Sequence, residues 1–338
     1  MKHRRLGRTG LMVSEICMGT MTFGSMADEA ESHRILDRAF DAGCDFLDVA
    51  EIYPVPPRAE WAGQSEVIVG HWLAGRARDT VFVATKVCGP GGGWFQSPVR
   101  GGKAALDRHN IIRACEASLS RLGTDYIDLY QTHWPERDLP IEETLEALDR
   151  LIEAGKVRAV GCSNETSYGL TKSLWTADNA GTARYETIQN NFSLLNRRFE
   201  DELAEVCRRE QVSCLPYSPI GAGVLSGKYQ GGAFPGDSRF GRYQGGDPRT
   251  QTMTRRFVNE GTLAATARFM DIAREAGLDP VTLAVAWTLS HDFVGSTIIG
   301  ATRTDQLTAS LAAANCALPS DVLAACNKVS REIRYPLG

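Results

Sequence analysis

The sequence predicts a (β/α)8 TIM barrel, an α/β fold, with an N-terminal hairpin, long lid loops and a C-terminal helix. Three observations carry this expectation. Eight short β-rich runs recur along the whole chain, helical patterns alternate with them, and no Gly/Ser-rich linker separates two halves. A doubly wound sheet shares the alternation and is the competing architecture. Residues 1–338 are expected to form one domain, since barrels of about 250 residues or more commonly stand alone.

The elements follow in order. Turn signals at Gly7 and Gly10 punctuate the opening stretch and suggest a hairpin. The β-rich runs are Ile16 to Thr20, Asp45 to Val49, Val81 to Val87, Ile127 to His133, Val157 to Ser163, Thr187 to Asn190, Ser213 to Tyr217 and Thr297 to Ala301. Between them lie amphipathic stretches. One opens at Pro140-Ile141-Glu142-Glu143, places Leu145, Leu148 and Ile152 on one face, and closes at Gly155-Lys156. Others stop at Gly43, Gly123 and Gly277. Two segments break the rhythm, Gly89 to Leu106 and Pro219 to Gly261, and long irregular segments in a barrel suggest lids. Pro319 to Arg331 reads as a terminal helix.

Composition narrows the function. With 43% hydrophobic and 23% charged residues the chain is neither disordered nor collagenous. Lys plus Arg number 37 against 41 Asp plus Glu, so there is no basic footprint for nucleic acid or anionic lipid. Small molecules are the expected partners, with no nucleic acid and no membrane. No apolar run reaches the roughly 20 residues of a membrane span, and Met1 to Gly7 lacks the apolar stretch of a signal peptide, so a cytoplasmic location is expected. The nine cysteines have no CxxC spacing and read as reduced, buried thiols.

Barrel chemistry sits at the C-terminal strand ends. There the sequence puts Asp48, Lys86 and His133, with Tyr53 in the loop after Asp48. Tyrosine ordinarily titrates near pH 10, and a cation a few ångströms away favours its anion. At about 4 Å and an effective dielectric near 20 that attraction is worth roughly 4 kcal/mol, so Lys86 is expected to lower the pKa of Tyr53 despite Asp48. Tyr53 then serves as a general acid, and neutral His133 orients a carbonyl oxygen. The six histidines are dispersed, without HExxH or HxH, so no metal site is expected. No GxSxG nucleophile elbow occurs. Gly221 to Tyr229 is not a Walker motif, because Tyr229 stands where Ser or Thr is required. Its place after the seventh strand, with Gly300-Ala301-Thr302-Arg303 after the eighth, does suit an anionic cofactor.

These motifs together resemble the aldo-keto reductase superfamily over essentially the full length, and within it a Tas-like bacterial branch. The resemblance rests on Leu47-Asp48-Val49-Ala50-Glu51-Ile52-Tyr53-Pro54, Ala84-Thr85-Lys86, Tyr126 to Pro135, Val160 to Asn164, Ile188-Gln189-Asn190 and Tyr217-Ser218-Pro219. It implies reduction of an aldehyde or ketone with NADPH, through Tyr53, Lys86, Asp48 and His133. It further implies that Ser163, Asn164 and Gln189 hold the nicotinamide carboxamide, and that Tyr217 stacks on the ring. Ser218, Pro219, Ile220, Gly221 and Lys228 would follow the pyrophosphate, with Gly19, Thr20 and Met21 opposite. Arg239, Thr302, Arg303 and Gln306 are implied for the adenosine end, with Gly300 a further cofactor-binding residue. Where many members carry an acidic residue and Asn to bind adenine, this chain has Ala309 and Ser310. Affinity is therefore expected to lean on the 2′-phosphate, read by Arg239 and Arg303. Trp134, Trp94, Phe95, Tyr53 and Asn191-Phe192 are expected to line a pocket for an apolar or cyclic carbonyl compound. The alternative function is a cofactor-sensing or partner-binding barrel with little catalysis.

Overall fold

The computed structural model describes residues 1–91 and 97–337. Strands β1 (His3–Arg5) and β2 (Met12–Ser14) pair as an antiparallel hairpin. Eight parallel strands follow: β3 (Ile16–Gly19), β4 (Phe46–Asp48), β5 (Phe82–Val87), β6 (Ile127–Thr132), β7 (Val157–Ser163), β8 (Tyr185–Gln189), β9 (Ser213–Cys214) and β10 (Thr297–Gly300). They run β10-β3-β4-β5-β6-β7-β8-β9 in one sheet. Backbone bonds from Gly295 N to Cys214 O and from Ile298 N to Pro216 O, each 2.9 Å, join its two ends and close the barrel. The expected (β/α)8 architecture is thus the observed one.

Helices α1 (Glu29–Asp41), α2 (Gln64–Leu73), α3 (Arg108–Leu122), α4 (Ile141–Glu153), α5 (Ser167–Ala180) and α6 (Leu203–Glu210) each separate one strand from the next. Their starts obey capping chemistry: Asp28 accepts from Glu31 N and Asp107 from Asn110 N, and each such cap is worth about 1 kcal/mol. In α4 the buried face is Leu145, Leu148 and Leu151, whereas Ile152 is only partly covered.

The segment after β9 departs from expectation. Instead of an irregular lid, it holds a 3-10 stretch (Gly221–Ser226) and two helices, α7 (Arg239–Gln244) and α8 (Pro248–Phe257), before α9 (Glu260–Glu275). The signals are short but present in the sequence. Ser238 caps α7, Asp247 caps α8 with Pro248 in its first turn, and Asn259 and Thr262 make a capping box for α9. Strand β9 is also shorter than expected, because Pro216 has no N–H to continue the ladder. Then come α10 (Pro280–Leu289), α11 (Leu307–Ala312) and the terminal α12 (Ser320–Glu332). Among the described residues no single helix is long and apolar enough to cross a membrane. All nine cysteines are free thiols, and only Cys316 is not fully buried.

Strand side chains alternate between inside and outside. Inside the barrel, Cys17, Phe46, Ala84, Leu129, Ala159, Leu215 and Ile298 pack with Leu6, Leu11 and Val13 of the hairpin. The hairpin therefore plugs the N-terminal end. Two residues further along the strands, on the same inward face, come Asp48 after Phe46, Lys86 after Ala84 and Gln131 after Leu129. One apolar layer thus supports a polar layer at the opposite mouth.

Candidate active site

Burial forces this polar layer to satisfy itself. Lys86 is 0% exposed and Asp48 2%. The Lys86 ammonium donates to Asp48 Oδ2 at 2.6 Å, to the carbonyl of Val49 at 2.6 Å and to the Tyr53 hydroxyl at 3.3 Å. Asp48 Oδ1 accepts from Gln189 Nε2 at 2.8 Å and from Gln131 Nε2 at 3.3 Å. The strand register delivers these neighbours, since Asp48 lies beside Ala84 on β5 and Lys86 beside Gln131 on β6.

Tyr53 is brought over Lys86 by a turn in which its N–H donates to Ala50 O, 3.0 Å, while Gly63 N–H donates to Tyr53 O, 3.1 Å. Glu51, inside that turn, is held by Arg100 through bonds of 2.8 and 2.9 Å and by the N–H of Cys88. His133 follows β6 and presents its ring edge-on to Tyr53, centroids 5.7 Å apart, with Trp134 stacked beyond it at 6.1 Å. His133 Nδ1 is buried without a partner among the described residues.

The electrostatics correct one expectation. Burial pushes the Tyr53 phenol above its ordinary range, and the opposing pull of Lys86 does not overcome it. The sequence showed the cation but not how completely the phenol is withdrawn from water. Lys86 remains charged: burial works against it, but Asp48 and then Tyr53 hold it above the usual lysine range. His133 is driven well below the imidazole range, first by burial and then by Lys86, so its ring is neutral.

Other predicted residues gather around the same mouth. Gly19 lies beside both Asp48 and Gly300 in the sheet register. Thr20 donates its hydroxyl to Asp48 O at 3.1 Å, and Met21 packs near Tyr53. Ser163 donates to Gln189 O at 2.7 Å. Asn164 donates to His133 O at 2.9 Å and accepts from the Tyr217 hydroxyl at 2.8 Å, which links the ends of β6, β7 and β9. Asn164 and Ser218 both have left-handed backbones, φ 57 and φ 55. Such conformations are uncommon outside glycine and concentrate at functional sites. Burial pushes Tyr217 up to about 12.

Beyond Pro219 and Ile220, Gly221 leads into the 3-10 stretch, and Lys228 folds back over Gly223. Burial, then the charge of Arg239, holds Lys228 below its usual range, with Arg303 adding to the effect. Arg303 is otherwise engaged: it donates to Asp237 at 2.5 Å and to Asp305 at 3.1 Å. Gln306 accepts from Thr302 N–H at 2.9 Å and so braces its own loop. One wall expectation changes. Phe192 is 0% exposed and belongs to the core, packed on Trp287, Phe199, His291 and Phe293. Trp94 and Phe95 lie outside the described residues. Among the described residues no group of three or more His, Cys, Asp or Glu is placed to hold a metal ion.

Gln131 and the Glu51–Arg100 pair did not stand out from the sequence. Period-two alternation contained the signal for Gln131, which sits between inward-facing Leu129 and His133. No local pattern links Glu51 to Arg100.

The Aldo/keto reductase family model matches residues 15–331. Protein tas of Escherichia coli (strain K12) is 42% identical, covering 99% of this chain and 99% of its own length. The uncharacterized oxidoreductase YrpG of Bacillus subtilis (strain 168) is 34% identical, covering 97% and 96%. A probable voltage-gated potassium channel subunit beta of Arabidopsis thaliana is 31% identical, covering 91% and 89%.

Proposed function

Because the chain belongs to the aldo/keto reductase family of oxidoreductases, we propose that it reduces an aldehyde or ketone to the alcohol with NADPH. The observation that carries this reading is the buried Lys86 ammonium, shared between Asp48 Oδ2 at 2.6 Å and the Tyr53 hydroxyl at 3.3 Å. Few structural roles require a fully buried cation to touch a phenol at the mouth of a barrel.

The residues fit a nicotinamide dinucleotide. The mutually repelling cations Lys228, Arg239 and Arg303 suit phosphate groups. The Oδ1 atoms of Asn190 and Asn191 are buried beside the site without donors among the described residues. Ser163, Asn164 and Gln189 would hold the carboxamide, Tyr217 would stack on the ring, and Lys228 with residues 218–221 would face the pyrophosphate. When bound, such a cofactor supplies the hydride that reaches the carbonyl carbon.

The chain's own part is the proton. Burial keeps Tyr53 protonated at neutral pH, so the acid is loaded before substrate arrives. As the carbonyl oxygen gains charge, Tyr53 gives it the proton, and Lys86 stabilises the phenolate left behind. Asp48 keeps Lys86 charged and fixed. Neutral His133 aligns the carbonyl oxygen beside Tyr53. Trp134, stacked on His133, provides an aromatic wall for an apolar or cyclic substrate.

The name of the channel-subunit relative favours a second reading, a barrel that keeps its cofactor and serves a partner. NADPH oxidation with a panel of aldehydes and ketones separates the two. Turnover of any panel member supports the reductase; tight cofactor binding with none turned over supports the second reading.

A further inference from the structure

Gln131 is fully buried on β6, within the polar layer that Asp48 and Lys86 share. A buried primary amide has two donors and an acceptor to satisfy. Here the donor end faces Asp48 Oδ1 at 3.3 Å, and Oε1 accepts from Gln189 Nε2 at 3.3 Å. Gln189 Nε2 also reaches Asp48 Oδ1, at 2.8 Å. Ionised carboxylate oxygens only accept, so both amides must turn their nitrogens toward Asp48. That fixes Gln189: its nitrogen is committed to Asp48 and Gln131, and its Oε1, to which no group donates among the described residues, is left for a ligand.

We propose that Gln131 is a positioning residue that completes the solvation of Asp48 and locks the Gln189 amide with its oxygen presented to the nicotinamide carboxamide. The proposal rests on the carbonyl-reductase reading above, and it has two separable halves. Without Gln131, Asp48 Oδ1 loses a donor, its charge is less well neutralised, and its field at Tyr53 grows; a stronger nearby negative charge raises the pKa of the phenol. Without Gln131 Oε1, the Gln189 amide also loses the partner that holds its orientation.

The test uses Gln131→Met, close in volume, with Gln131→Leu as a second apolar replacement in case one folds poorly. NADPH Kd, read by quenching of protein fluorescence, is expected to rise roughly tenfold, the scale of one lost hydrogen-bonding arrangement. Since Gln131 acts through Gln189, Gln131→Met is expected to add little to Gln189→Met. In the free protein the Tyr53 titration, taken as the ultraviolet difference between proteins with and without Tyr53→Phe, is expected to move upward by about half a pH unit or more. Unchanged Kd, or full additivity with Gln189→Met, would overturn the carboxamide half. An unchanged Tyr53 titration would overturn the Asp48 half. If the wild type bound no nicotinamide cofactor at all, the proposed function would fall together with the carboxamide half, while the titration in the free protein would still decide the other.

Discussion

Arg100 grips Glu51 with two parallel bonds, 2.8 Å from Nη1 to Oε2 and 2.9 Å from Nη2 to Oε1. The side chains are only 13% and 4% exposed. The pair ties the segment that follows β5 to the turn that carries Tyr53, which gives that segment a definite task beneath the candidate acid.

Removing one partner of a buried pair leaves the other charge stranded. Arg100→Ala is therefore expected to destabilise the protein by about 3 kcal/mol, measured by chemical denaturation. Double replacement, Arg100→Ala with Glu51→Gln, should recover part of that loss. Equal stability of Arg100→Ala and wild type would contradict a net contribution of this buried pair to stability.

Arg303 is held by Asp237 at 2.5 Å and by Asp305 at 3.1 Å, and about half of its side chain is exposed. A 2′-phosphate must compete with these carboxylates for the guanidinium. Exposed pairs of this kind are worth roughly 0.2 to 1 kcal/mol. Asp237→Asn is thus expected to tighten NADPH binding up to about fivefold while leaving NADH nearly unchanged. Arg303→Ala should reduce the preference for NADPH. Dissociation constants for both cofactors check both expectations, and equal affinity of the wild type for the two would refute the preference itself.

Glu200 borders the aromatic cluster that includes Phe192, through its contact with His291. Burial alone would raise its pKa, but hydrogen bonds from His291 and Arg197 hold it down to about 2. A depressed carboxylate contributes stability above its unfolded value, near 4.5, and loses it as pH falls towards 2. Glu200→Gln is expected to cost on the order of 1 kcal/mol at neutral pH, after allowing for solvent screening, and progressively less below pH 4. Denaturation midpoints measured between pH 2 and 7 test this; a constant difference across that range would contradict it.

The barrel was legible because its signal is periodic and repeated: hydrophobic runs such as Phe82–Val87 and Ile127–Thr132 recur with helices between them. Asp48, Lys86 and His133 were legible for the same reason, being polar residues at the ends of such runs. Less visible were contacts made by topology alone. Glu51 meets Arg100 across a loop, and Arg303 meets Asp237 across the barrel rim, and no spacing rule encodes either. Helices α7 and α8 were hidden by their Gly-rich flanks, although Ser238 and Asp247-Pro248 announce them. The direction of the Tyr53 shift was missed because it depends on a depth of burial that a strand pattern does not convey.

Proton donation by Tyr53 is the step on which the proposed reduction turns. Its most direct test is single-turnover reduction by Tyr53→Phe, with NADPH affinity measured on the same protein. Phenylalanine keeps the ring that packs beside His133 and removes only the acid. An NADPH Kd within about twofold of wild type is expected, with a reduction rate lower by a factor on the order of a hundred or more, the usual worth of a positioned general acid. A variant that retained more than about half of the wild-type rate, with chemistry shown to be rate-limiting, would contradict it.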